Sequence, residues 1–149
     1  MFDDDDFIDG LRLKSAPWAD VEPFCRQIRD EVFVREQGVP VELEHDGKDP
    51  DCVHVLASLK DGTPVGTGRL LPDGHIGRMA VRKTWRGQGV GGAMLALLIE
   101  EARTLGHLET ALNAQVSALD FYRSFGFEEI GERFIEAGLQ HQAMHLRLD

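Results

Sequence analysis

The sequence predicts an α+β domain, a mixed, mostly antiparallel sheet of about six or seven strands with helices on both faces. Three observations lead there. Short apolar runs bounded by turn residues recur through the chain, and two stretches carry apolar residues at helical spacing. The segments then alternate as β-α-β-β-β-α-β-α-β-β. With 149 residues and no repeat, low-complexity linker or Pro/Gly/Ser-rich break, residues 1–149 read as a single domain.

Residues 1–6 contain the acidic run Asp3 to Asp6, which repels itself and is expected to be disordered. Phe7 to Lys14 alternates weakly around Ile8, Leu11 and Leu13, as a first strand would. Asp20 can cap a helix whose apolar positions are Val21, Phe24, Cys25, Ile28 and Val32, ended by Gly38-Val39-Pro40. Residues 41–52 are acidic and irregular, a loop with a short helical turn. Val53 to Lys60, Val65 to Leu71 and Ile76 to Val81 are apolar runs joined by Asp61-Gly62 and Pro72-Asp73-Gly74, which predicts an antiparallel meander. A glycine-rich loop then opens a helix with Val90, Met94, Leu97, Leu98, Ala102 and Leu105 on one face, closed by Gly106. Leu108 to Ala114 is a strand, and Ser117 with Asp120 predicts a capped short helix ended by Gly126. Glu128 to Ile135 and Ala143 to Leu148 close the sheet, and these final strands leave pairing across a homodimer open.

Composition excludes several classes. A formal charge of −10 argues against nonspecific coating of nucleic acid. No run approaches the roughly 18 apolar residues of a membrane span. The acidic start resembles neither a signal peptide nor an arginine-rich transit peptide, so a cytoplasmic protein is expected. Cys25 and Cys52 form no CxxC pair and read as two buried free thiols. His141 and His145 would lie about 13 Å apart along a strand, too far for one ion, and no HExxH exists, so no metal is expected.

The charge is unevenly distributed. Residues 1–51 hold 15 acids and 6 bases, whereas residues 52–149 hold 11 acids and 10 bases. Arg78, Arg82, Lys83 and Arg86 form a basic run with no acid among residues 74–99. Exposed charges are screened beyond about 8 Å at physiological salt, so an anionic ligand there would feel this run more than the global charge.

The segment Arg86-Gly87-Gln88-Gly89-Val90-Gly91-Gly92 sits between a strand and a helix, with four glycines in seven residues. Glycines let backbone N–H groups approach an anion, the helix N-terminus adds about half a positive charge, and Arg82, Lys83 and Arg86 would surround it with full charges. Three templates compete for that anion. Gly77 to Thr84 nearly spells a phosphate-binding P-loop, but Arg82 stands where its second glycine belongs. Gly87, Gly89 and Gly92 match GxGxxG, yet the preceding strand closes an antiparallel meander, and Glu109 sits at the wrong end of the next strand to bind a ribose. Arg86-x-x-Gly89-x-Gly91 matches the (Gln/Arg)-x-x-Gly-x-(Gly/Ala) loop that binds the pyrophosphate of coenzyme A.

With that loop, the sequence resembles the GNAT superfamily of N-acetyltransferases over nearly its whole length. Gly77-Arg78-Met79-Ala80-Val81 resembles the family's fourth strand. Asn113-Ala114 and Phe121-Tyr122-Arg123-Ser124-Phe125-Gly126-Phe127 resemble its fifth strand and following helix. Residues Ile28 to Pro40, with Glu44-x-Asp46, resemble a narrower ElaA-like branch. The resemblance implies acetyl-CoA as co-substrate and a small cationic amine as acceptor, joined by direct attack in a ternary complex. It implies a coenzyme site built from Met79, Ala80, Val81, Arg86, Gly87, Gln88, Gly89, Val90, Gly91, Gly92, Asn113 and Tyr122. The strand holding Met79 and Val81 would splay from its neighbour and present backbone N–H groups to the pantetheine arm and to the thioester oxygen, with both side chains in the core. Tyr122, the sequence's single tyrosine, would protonate the departing thiolate.

The base is less determined by the residues. Deprotonating a lysine-like amine at pH 7 costs roughly 4.6 kcal/mol, so a side chain or a water must take the proton. Glu44, Asp46, His75 and His141 are candidates. Glu44 and Asp46 lead, because carboxylates there would also attract a cationic amine. Two other readings remain: a non-catalytic acyl-CoA-binding protein of the same fold, and a dinucleotide-binding enzyme using GxGxxG.

Overall fold

The computed structural model describes residues 10–148; the acidic run and the Phe7–Asp9 part of the expected first strand lie outside the described residues. The strand β1 covers Arg12–Pro17, displaced toward the C-terminus from the expected span, because pairing with the next strand runs from Arg12–Ser58 to Pro17–Val53 and places Ala16, not Leu13, in the core. Helix α1 (Trp18–Arg29) starts two residues before Asp20, on Pro17, with no side-chain cap. Burial of Trp18 decides this start. Its indole lies 4.6 Å from the His54 ring, with the Arg26 and Arg29 guanidiniums over it at 5.0 and 5.4 Å. The helix continues as a π-helical stretch, Asp30–Glu36, and ends where Gly38 takes φ +74°. The acidic segment holds a short helix α2 (Val41–Glu44) and a 3₁₀ turn, Asp49–Asp51.

The meander forms as the turn chemistry predicts, with β2 at Val53–Ser58, β3 at Pro64–Leu70 and β4 at Ile76–Val81. Helix α3 (Val90–Thr104) buries Met94, Leu95 and Leu98 completely. At about 1.5–3 kcal/mol per buried side chain, that face holds the helix in place without a side-chain cap at its N-terminus. Leu105, expected on this face, is exposed. Strand β5 (Glu109–Gln115) leads through a 3₁₀ turn into α4 (Leu119–Arg123). The expected Ser117/Asp120 cap does not form, and the Asp120 carboxylate accepts from Arg123 instead. Strand β6 covers Glu128–Glu136. Strand β7 covers Leu139–Arg147, four residues earlier than expected, because it is central in its sheet and both neighbours pair with it through the polar Gln140–Gln142 stretch. The Gln142 amide is satisfied there by the Ile130 and Gly131 carbonyls.

The strands form two antiparallel sheets, ordered β1-β2-β3-β4 and β5-β7-β6. The parallel component of the expected mixed sheet is one isolated bridge, His75–Ala111, where β4 meets β5. On one face of the first sheet, α3 packs so closely that a Cβ at Gly66 would meet Met94 at 2.9 Å and one at Gly68 would meet Leu98 at 2.9 Å. On the other face Thr67 and Arg69 point to α1 and the acidic segment, and Thr67 bonds Cys25. Leu112, Phe127 and Met144 extend the α3 core under the second sheet. Cys25 and Cys52 are buried free thiols. No helix among the described residues is long and apolar enough to cross a membrane.

The β6–β7 turn is a two-residue turn with Ala137 at φ +50° and Gly138 at φ +79°. Such turns favour Asn-Gly, because asparagine tolerates the left-handed region that alanine resists. Ala137→Asn is expected to raise the melting temperature by roughly 1–4 °C, read by calorimetry.

Candidate active site

Beyond the His75–Ala111 bridge, β4 and β5 part. A cavity of about 660 Å³ opens beside them, with Met79, Ala80 and Val81 from β4, Asn113 from β5 and Tyr122 from α4 on its wall. The β6–β7 turn borders it on one side and the acidic segment on the other. The backbone of β4 is irregular here. Thr67 pairs with Ala80 and Arg69 with Gly77, so Gly68 alone faces Arg78 and Met79. That is a β-bulge, and Arg78 adopts φ +49° within it, a conformation usually left to glycine. The Met79 side chain folds over Gly68, where an added Cβ would sit 2.6 Å from its sulfur.

The acidic segment is held to the sheet by an ion-pair cluster. Arg29 Nε and Nη2 donate to the Glu44 carboxylate at 2.9 and 2.6 Å, and its Nη1 donates to Asp49 at 2.8 Å. Arg69 bridges Asp46 and Asp49. Arg78 donates to Glu44 at 3.1 Å, to Asp46 at 3.3 Å and to the Leu43 and Glu44 carbonyls. Arg29 and Glu44 are each 1% exposed. Burial opposes ionisation of Asp46 and Asp49, but hydrogen bonds from Arg69 and from Arg29, respectively, outweigh it and hold both carboxyls well below the usual range. Glu44 and Asp46 therefore stand here as ion-pair partners rather than as free carboxylates, a correction to their expected availability. Three carboxylates facing three guanidiniums also leave no excess negative charge to attract an amine. Asp30, Glu44 and His45 bring one donor atom each within 4.8 Å of one another, but a cation there would compete with Arg29 and Arg78 for the same Glu44 oxygens.

The glycine-rich loop has the expected backbone and different electrostatics. Gly87 and Gly89 lie at φ +75° and +84°, and Gly89 is the N-terminal cap of α3. The first helical backbone bond runs from Ala93 to Gly89, so the N–H groups of Val90, Gly91 and Gly92 have no intrahelical acceptor. A Cβ at Gly91 would meet Phe121 at 3.6 Å, ordinary contact, so this position accepts glycine or alanine. Arg82 and Arg86, expected to be available to an anion, are engaged. Arg82 donates to Glu31 at 2.8 Å, and Arg86 forms a bidentate pair with Glu36 at 2.6 and 2.7 Å. The Arg86 side chain reaches the cavity wall; Gly87 to Gly92 and Asp46 do not line it.

Burial pushes the Tyr122 phenol up to about 12, so it stays protonated at neutral pH. His75 and His141 also line the cavity. His75 is half exposed beside Asp73, whereas His141 is 8% exposed and stacks on Phe134. His141 Nδ1 lies 2.8 Å from the Leu139 carbonyl, which requires a proton on Nδ1; in the neutral imidazole the lone pair is then on Nε2. Sequence reasoning missed Arg29, Asp49 and Arg69. One signal existed: Arg29 falls four residues after Cys25 on the apolar stripe of α1, where a charge needs a buried partner.

Comparison with known proteins matches this arrangement. The acetyltransferase (GNAT) domain family matches residues 20–148. An uncharacterized N-acetyltransferase of Bacillus subtilis, YjcF, is 38% identical over 122 residues, covering 78% of this chain and 86% of its own. An acyl-CoA N-acyltransferase from Pseudomonas aeruginosa superposes with a TM-score of 0.81 at 30% identity, covering 91% of this chain and 98% of that one. Escherichia coli ElaA superposes with a TM-score of 0.81 at 28% identity, covering 90% and 98%. With seven strands in two antiparallel sheets among the described residues and a glycine loop capping α3, this chain belongs to the GNAT acetyltransferase family.

Proposed function

We propose that residues 1–149 form one acyl-CoA N-acyltransferase domain that moves an acetyl group from acetyl-CoA to an amine by direct attack within a ternary complex. The observation that carries this reading is the parting of β4 and β5 around a cavity that Tyr122, the Met79–Val81 backbone and His141 all reach. When bound, acetyl-CoA supplies the thioester carbonyl. The open N–H groups at the start of α3 and the left-handed glycines of the Gly87-Gln88-Gly89 turn suit a pyrophosphate. Arg86 would exchange Glu36 for that phosphate, and Asn113 would border the pantetheine arm. The Met79 N–H donates to the carbonyl oxygen as negative charge builds on it. The Tyr122 hydroxyl gives its proton to the leaving sulfur. Its raised pKa keeps that proton in place until a thiolate develops.

For the amine proton we favour His141 over Glu44 and Asp46. The carboxylate oxygens of those two accept from Arg29, Arg69 and Arg78, whereas His141 Nε2 carries its lone pair at the cavity wall, 3.8 Å from Glu136. Glu136 can stabilise the imidazolium that forms. A non-catalytic acyl-CoA binder would keep the loop and lack these roles.

Thiol release from acetyl-CoA across a panel of small amines tests the reading, and tight coenzyme binding without release from any amine would favour the binder. Tyr122→Phe is expected to lower kcat about 10²-fold with little change in the KM for acetyl-CoA. His141→Gln is expected to lower kcat by a similar 10²-fold with little change in the KM for acetyl-CoA; an unchanged kcat removes His141 as base. Glu36→Gln frees Arg86 from an exposed competitor and is expected to tighten acetyl-CoA binding about two- to fivefold by calorimetry.

A further inference from the structure

Arg78 combines two features that are rarely found in one residue. Its backbone lies at φ +49° inside the β4 bulge, where a side chain is unfavourable and glycine is the usual occupant. Its guanidinium makes four hydrogen bonds to one short segment: Glu44 Oε2 at 3.1 Å, Asp46 Oδ2 at 3.3 Å, and the carbonyls of Leu43 and Glu44 at 3.1 and 3.2 Å. That segment cannot follow Arg78 if it moves, because Arg29 and Arg69 pin the same carboxylates from α1 and β3. The next residue is Met79, whose side chain is lodged over Gly68 on the opposite face of the sheet. Between an anchored Arg78 and a lodged Met79, the direction of the Met79 peptide N–H is set.

We propose that Arg78 is a positioning residue for acyl transfer: its anchored guanidinium holds its own backbone in the left-handed conformation, and so aims the Met79 N–H into the cleft between β4 and β5. This inference rests on the reading of that N–H as the donor to the thioester oxygen. Arg78 touches neither acetyl-CoA nor amine in this role. It acts through the peptide that follows it.

Alanine and glycine at position 78 separate the backbone from the side chain, since both lose the guanidinium and only glycine adopts the bulge without strain. Arg78→Ala is expected to lower kcat about 10²-fold, the size of a lost oxyanion donor, with the KM for acetyl-CoA within about threefold. Arg78→Gly is expected to recover at least about tenfold of that loss. Equal losses in the two variants, or none in either, overturn the proposal. A second readout does not depend on turnover: the Met79 amide resonance of the coenzyme-free protein should move in Arg78→Ala and stay near its wild-type position in Arg78→Gly. An unmoved Met79 amide in Arg78→Ala overturns the proposal whatever the kinetics. If the wild-type chain binds acetyl-CoA yet releases no thiol with any amine, the acyl-transfer reading fails, and the amide shifts alone decide whether Arg78 holds the bulge.

Discussion

A buried charge must be paired, and that requirement organises the part of this molecule that borders the cavity. Arg29 sits on the inner face of α1 and Arg69 on the same face of β3, both nearly without solvent contact. Neither can be left alone there, because removing one partner of a buried pair costs about 3–5 kcal/mol. The carboxylates that satisfy them, Glu44, Asp46 and Asp49, come from a segment with almost no apolar material to bury. Charge, not hydrophobic contact, therefore lays residues 41–52 across β3 and β4. Arg78 joins from the cavity side and ties the bulge to the same carboxylates. The cavity wall, the bulge and the α1 register thus share one set of ion pairs.

The same pairing changes what the net charge means. The first 51 residues carry the acidic excess, and a simple reading assigns it to attracting a cationic substrate. In the folded chain, Glu31 meets Arg82, Glu36 meets Arg86, and Glu44, Asp46 and Asp49 meet Arg29, Arg69 and Arg78. Five of the fifteen acids of residues 1–51 are thus held in ion pairs by Arg29 and by four arginines of the fold's centre. Part of the asymmetry along the sequence records an internal clasp between the acidic segment, the helix and the sheet.

Much of the fold was legible in the sequence because its signals are local. The Asp61-Gly62 and Asp73-Gly74 turns, the apolar runs between them and the glycine after α3 each act within a few residues, and the meander and α3 appear where they point. The misplaced boundaries follow from long-range burial. Trp18 starts α1 early by packing on His54, and β7 starts early because two neighbours pair with its polar stretch. The glycine loop at the start of α3 was likewise legible as a turn, since its motif is contiguous. The ion-pair cluster was not. Its paired members lie 15 to 34 residues apart, and no local rule connects a guanidinium on α1 with a carboxylate past Pro40. What separates Glu44 from a free carboxylate is the partner it meets only in the folded state.

The two groups of ion pairs differ in how readily they can yield, and the difference follows from burial. Arg86 and Glu36 are each 38% exposed, so parting them leaves both in water, and an exposed pair is worth about 0–1 kcal/mol. A phosphate can take Arg86 at little cost. Arg29 and Glu44 are each 1% exposed, and parting them would strand two charges in the core. Both groups connect to one continuous helical element, since Arg29 ends α1 while Glu31 and Glu36 lie on its π-helical extension. One element thus offers a partner that exchanges at the glycine loop and a partner that does not exchange under the cavity. An anion can therefore take Arg86 without parting the buried ion pairs that hold the bulge and the acidic segment in place.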